Sequence, residues 1–147
     1  MKVRNKAALS CLIAMMALCT FVQAGVFSMA NNHADQGFGF DFYADGSDAC
    51  VDTARRKEDN TASYVKSNAG IEQFSTWIAG SKSTHADPFT SNVCSSSVVI
   101  PSGAYRYISN NAYGRFSYVY PIFVIRQDNR WHHLAGKWSP DNISGRY

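Results

Sequence analysis

Beyond its first 24 residues the sequence holds few of the residues and motifs that mark catalytic sites. Two cysteines remain, Cys50 and Cys94, and two glutamates, Glu58 and Glu72. Glutamates beside turns supply no recognisable carboxylate pair for glycoside hydrolysis. There is no Gly-x-Ser-x-Gly elbow and no glycine-rich phosphate loop. Neither cysteine sits in a motif that marks a catalytic thiol. No window after the N-terminal segment keeps a 3.6-residue amphipathic period, and none is apolar over the ~20 residues a membrane span requires.

Charge of one sign is missing as well. The full chain carries 14 Lys and Arg against 11 Asp and Glu, a net charge of +3. Lys2, Arg4 and Lys6 account for that excess, so the chain from Gly25 onward is balanced. Balance removes the general case for nucleic-acid or membrane-surface binding. It also hides a polarity. Asp35, Asp41, Asp45, Asp48, Asp52, Glu58 and Asp59 crowd the first part, and Arg106, Arg115, Arg126, Arg130, Lys137 and Arg146 dominate the last. The two ends can pair within one fold, or the basic end can face an anionic envelope polymer.

What is present first is an export layout. Three cations precede the apolar stretch Ala7–Val22, and Val22-Gln23-Ala24 offers small-residue cleavage chemistry. A second cut is available after Ala30. Residues 1–24 are therefore expected to be a cleaved signal peptide, 25–36 a loose segment, and 37–147 one domain. The destination is outside the cell, in the medium or at the cell wall.

Aromatics, Ser, Thr, Asn and Gly favour strands and turns. In Gly37-Phe38-Gly39-Phe40-Asp41-Phe42 the phenylalanines alternate, as on a half-buried strand, and Asp45-Gly46 marks a hairpin turn. Further strands are expected at 51–54, 63–66, 74–78, 98–100, 105–109, 115–127 and 131–138, with 81–97 mostly loop. Pro121 inside the longest candidate implies an edge or a bulge. The expectation is an all-β domain, an antiparallel sandwich or open barrel of about seven short strands.

His132 and His133 stand between Trp131 and Trp138. Adjacent residues on a strand point to opposite faces, so they cannot easily share one metal. A metal site would need His33 or His85 beside one of them. One histidine packed inside and one at the surface is the simpler expectation. Asp41, Asp45, Asp48 and Asp52 lack the calcium-loop spacing and read as turn chemistry. No metal and no cofactor is expected. In an exported chain the Cys50/Cys94 pair predicts one disulfide. Asn142-Ile143-Ser144 fits a glycosylation sequon, a weak match.

Tyr105, Arg106, Tyr107, Arg115, Tyr118 and Tyr120 form an aromatic and cationic stripe. Such side chains stack on sugar rings or pair with charges, although they also fill cores. They are the candidate binding residues, with an envelope polymer or surface protein as partner.

The segments "FGFDFYADGS", "RRKEDNTASYVK" and "GKWSPDN" resemble a family of small exported proteins of Gram-positive bacteria described only as a domain of unknown function, of a bacteriocin-associated type. The resemblance implies an exported, non-enzymatic β protein and brings no catalytic residues with it. The reading is a secreted binding protein. Its rivals are a bacteriocin-like antagonist of competing bacteria and a secreted hydrolase.

Overall fold

The computed structural model describes residues 33–142. The expected signal peptide and both of its cleavage points lie outside the described residues, as do Ile143 and Ser144 of the sequon. Nine strands and no helix make up the described chain. They are β1 (Gln36–Tyr43), β2 (Ala49–Cys50), β3 (Arg55–Arg56), β4 (Ser63–Ser67), β5 (Phe74–Ser81), β6 (Val98–Ile100), β7 (Tyr105–Ile108), β8 (Tyr118–Val124) and β9 (Trp131–Ser139). All pairings are antiparallel. Sheet A runs β1-β9-β4-β7; sheet B runs β2-β8-β5-β6, with β3 also on β8. The all-β sandwich expected from composition and alternation is the fold observed.

Alternation decides which residues meet between the sheets. On sheet A, Phe38 lies opposite Gly136, Phe40 opposite Leu134 and Val65 opposite Trp138. On sheet B, Thr76 lies opposite Phe123 and Phe74 opposite Ile100. The two sets meet through ring contacts: Phe38 is 4.7 Å from Phe123 and 6.3 Å from Phe74, and Phe40 is 5.6 Å from Phe123. Trp138, Phe123, Val65, Ile78 and Ile100 have no exposed surface. Each such side chain contributes about 1.5–3 kcal/mol by burial. Gly136 makes the packing at Phe38 achievable. A Cβ there would stand 2.0 Å from the Lys66 carbonyl oxygen and 2.6 Å from the Phe38 ring.

Three expectations need correction. Residues 51–54 are not a strand; the strands flank them, as β2 and β3. Both pair with β8, which is an interior strand and not an edge. The interruption falls opposite Pro121, which has no N–H to offer a neighbour. The long strand begins at Tyr118 and not at Arg115. Arg115 and Phe116 both give their N–H to the Ala112 carbonyl, which curls the chain into a turn.

The two outer faces differ. Tyr120, Ile122 and Ala79 point away from the interior of sheet B yet are buried. The connection over residues 82–97 covers them. It bridges Thr53 through His85, and the Asp87 carbonyl accepts the Tyr120 hydroxyl at 3.0 Å. On sheet A the outward residues of β1 and most of those on β9 remain in contact with solvent.

Candidate functional site: the open face of sheet A

The cross-strand register sorts the outward residues of sheet A into rows. Tyr43 pairs with Trp131, Asp41 with His133, Gly39 with Ala135, and Gly37 with Lys137. Lys137 continues to Lys66 and Tyr105, and Ser139 to Tyr64 and Tyr107. Period two brings all of these to one face.

Aromatic side chains occupy both ends of this face. At one, Tyr43 and Trp131 lie 5.4 Å apart; Trp131 is 70% exposed. At the other, Tyr64, Tyr105 and Tyr107 form a triangle with centroid separations of 5.8, 5.6 and 5.7 Å. Along β9 the rows of Tyr105 (at Lys137) and of Tyr64 and Tyr107 (at Ser139) lie six and eight positions from Trp131, about 20–27 Å at ~3.4 Å per residue. Between them the side chains are short, at Gly37, Gly39 and Ala135, or charged, at Lys66, Lys137 and the Asp41–His133 pair (3.1 Å). The result is a long, shallow, aromatic-ended track. Burial raises the Tyr64 hydroxyl above the usual phenol range, with lesser pushes from Asp35, Tyr107 and Tyr105. It stays a protonated hydrogen-bond donor at neutral pH.

The expected stripe is divided by the fold. Tyr105 and Tyr107 belong to the tyrosine triangle on sheet A. Arg106 between them bonds the Tyr105 carbonyl at 2.8 Å. β8 belongs to the other sheet, so Tyr118 and Tyr120 leave the group. Tyr118 lies opposite Arg56 on the outer face of sheet B, and Tyr120 is only 1% exposed beneath the 82–97 connection. Arg115 sits in the turn before β8 and bonds the Asn111 side chain. Sequence reasoning missed Tyr43, Tyr64, Trp131, Lys66 and Lys137 as members of the face. Their neighbours are on other strands, and only the sheet register reveals them.

The histidines go to opposite faces, as alternation requires. His132 is buried, with Nε2 2.8 Å from Asp128 and Nδ1 2.7 Å from Glu72. The hydrogen bond to Asp128 is the main reason its pKa is raised. Asp128 in turn is held down to about 2 by His132 and then Arg130. Among the described residues no group of three or more His, Cys, Asp or Glu is placed to hold a metal ion.

The expected Cys50–Cys94 disulfide is not formed; both thiols are free. Cys50 is on β2 opposite Ile122 of β8. Cys94 donates its N–H to Ile78 on the far side of β5, next to the Ala79–Val93 bridge. Three inter-strand steps of ~4.8 Å separate them, about 14 Å, far beyond disulfide reach. Burial, with Asp87 and Asp52 adding to it, pushes the Cys50 thiol up to about 11.

These features define a class: an antiparallel β-sandwich with one covered face and one open, aromatic-ended face. Within that class the chain belongs to the family described as "Protein of unknown function (DUF2712)", whose model matches residues 26–142. No curated protein matches the chain. A solved structure from Bacillus endospore appendages, described as a novel family of disulfide-linked pili, aligns over 77% of this chain and 94% of its own, at 12% identity and a TM-score of 0.35. Among the described residues no helix is long and apolar enough to cross a membrane.

Proposed function

We propose that the chain is an exported, non-catalytic binding protein that holds a glycan-containing polymer of the cell envelope along the open face of sheet A. The observation that carries this reading is the placement of Tyr43 and Trp131 at one end of that face and Tyr64, Tyr105 and Tyr107 at the other. Exposed rings at Tyr43, Trp131 and Tyr105, beside the half-buried Tyr64 and Tyr107, with short side chains between the two ends suit a long, flat ligand that stacks on both. Lysines and the Asp41–His133 pair supply polar contacts between the stacking points.

Export is supported by the N-terminal charge-then-apolar layout and by the likeness to small exported proteins of Gram-positive bacteria. The non-catalytic reading is supported by the histidines. His132 has a carboxylate on each ring nitrogen, and the described partner of His133 is Asp41. Both ring nitrogens of His132 are thereby taken, and among the described residues no hydrogen bond joins either histidine to a hydroxyl or thiol side chain that would serve as a nucleophile.

Trp131 provides the test. Trp138 has no exposed surface and Trp77 is half-buried, so an added ligand perturbs mainly Trp131 fluorescence. Titration with soluble cell-wall glycan fragments is expected to give a saturable emission change that Trp131→Phe reduces and Tyr105→Ala weakens. A flat titration with every wall fragment would remove the proposal and bring growth-inhibition assays on competing strains to the front.

A further inference from the structure

Among the described lysines Lys57 alone is buried; Lys66, Lys82 and Lys137 are exposed. Lys57 directly follows β3 on sheet B, and its backbone N–H donates to the Ser117 carbonyl at 3.0 Å. Asp141 lies just past β9 on sheet A. The two side chains meet at 2.6 Å between Nζ and Oδ1, and neither has any exposed surface. A second acid stands beside them. Asp59 holds the Thr61 N–H at 2.8 Å, shares a hydrogen bond with the Asp141 carboxyl, and feels the Lys57 charge.

An amine, a carboxyl group and a second acid closed off from water are the parts that amide formation needs. Two charges held away from solvent carry a desolvation cost, which a neutral amide removes. Fixed contact replaces the encounter of the reactants, and well-oriented groups reach effective concentrations of ~10⁵ M or more. The two acids differ in the way such a step requires. Burial raises the Asp141 pKa. At Asp59 burial is outweighed by the hydrogen bonds with Thr61 and Asp141, and its pKa falls. Asp59 therefore stays ionised and is the proton acceptor of the group.

The surrounding hydrogen bonds fit the amide as well as they fit the ion pair. Asp141 Oδ2 accepts the Glu58 N–H at 3.1 Å, so a donor already faces the oxygen that carries the negative charge of a tetrahedral adduct. Nζ donates to the carbonyls of Thr61 and Pro140. An amide nitrogen keeps one proton, enough for Thr61. The Pro140 carbonyl then retains the Ser63 hydroxyl at 2.8 Å. No acceptor is left without a donor.

We propose that Lys57 and Asp141 condense to an intramolecular amide that ties the end of β3 to the end of β9, with Asp59 relaying the protons. Nζ gives one proton to the Asp59 carboxylate and attacks Cγ of Asp141. The bond from Cγ to Oδ1 breaks, and Oδ1 leaves as water with the two protons that Nζ sheds. Asp59 ends as it began, and no oxidant or reductant is consumed. The link joins residues 84 positions apart and encloses every strand from β4 to β9. It supplies the covalent closure that the two distant thiols cannot. It holds whether or not the open face of sheet A binds glycan.

The test is the intact mass of the purified chain from Gly25 onward, followed by proteolysis and fragment sequencing. The chain is expected to be lighter than its sequence by one water, and one branched peptide should carry Lys57 joined to Asp141. Lys57→Arg keeps the charge but cannot form the link, and should show the full sequence mass. Asp59→Asn is expected to slow the appearance of the lighter form at least ~tenfold. A wild-type chain that keeps its full sequence mass after folding and prolonged incubation overturns the proposal. So does a lost water that maps to a cyclic imide at Asp45-Gly46 instead of the branched peptide. An Asp59→Asn chain that links as fast as wild type overturns the relay.

Discussion

The Lys57 ammonium lies 2.6 Å from the Asp141 carboxylate, and neither side chain has any exposed surface. Lys57 also donates to the carbonyls of Thr61 and Pro140, and the second Asp141 oxygen accepts the Glu58 N–H. Ser63 bonds the Pro140 carbonyl, and Asn142 bonds Thr61 and Ala62. The segments "RRKEDNTASYVK" and "GKWSPDN", whose Lys57 and Asp141 stand 84 residues apart, thus form one buried polar network. Burial raises the Asp141 pKa, against the pull of Lys57 and the Glu58 amide.

A charge left alone there is expensive. Asp141→Ala is expected to cost about 3–5 kcal/mol in denaturant unfolding, since it strands the Lys57 ammonium. The double replacement Lys57→Met with Asp141→Leu should recover much of that loss. A single-variant cost below about 1 kcal/mol would show that water reaches the pair.

The His132 cluster sets a pH dependence whose sign follows from its shifts. Its pKa is raised, first by the Asp128 hydrogen bond, so the imidazolium stabilises the fold. That contribution is complete below the ordinary histidine value of about 6.5 and fades as pH rises through the elevated one. Asp128 is lowered to about 2, so its contribution is present above the ordinary carboxylate range and is lost as pH falls toward that value. Thermal unfolding should show a stability decline above neutrality that His132→Gln abolishes. An unchanged slope in His132→Gln would place the titrating group elsewhere.

Gly136→Ala puts a methyl group against the Lys66 carbonyl and the Phe38 ring. The carbonyl belongs to a paired strand and cannot move aside. A loss of about 1–3 kcal/mol or more is expected from chemical denaturation. Phe38→Leu in the same chain should return little of it, because the tighter contact is with backbone.

The thiols should behave as two separate groups. Alkylation of the denatured chain from Gly25 onward, without reductant, is expected to label both Cys50 and Cys94, with the mass of two adducts. Native labelling at neutral pH should be slow at Cys50, whose pKa is pushed up to about 11. Recovery of an unlabelled, linked pair would contradict the order β2-β8-β5, which holds the two thiols apart.

Much of the sandwich was legible because local alternation reports burial. The Phe38-Phe40-Phe42 repeat and the opposite facing of His132 and His133 appear where period two puts them, whereas the expected Asp45-Gly46 hairpin is not one: β1 pairs with β9 and β2 with β8, so the bend at 45–46 carries the chain from one sheet to the other. Strand pairing is a long-range property and was not legible. Tyr105 and Tyr118 look like one stripe in sequence, but the chain crosses between sheets after Ile108, and Tyr64 replaces Tyr118 as the neighbour of Tyr105. Trp131 finds Tyr43 from 88 residues away by the same logic. The disulfide expectation failed because compartment and cysteine count say nothing about which strands lie between two thiols.

The most direct test of the envelope-binding account is co-sedimentation of the chain from Gly25 onward with purified cell walls, at low and high salt, with membranes as a parallel arm. The account predicts wall binding that persists at high salt, because ring stacking is not screened as exposed charge contacts are. The double variant Trp131→Ala with Tyr105→Ala should lose at least about tenfold in affinity at unchanged melting temperature. Wild-type protein that stays in the supernatant with walls, or a folded double variant that binds walls as well as wild type, would contradict it.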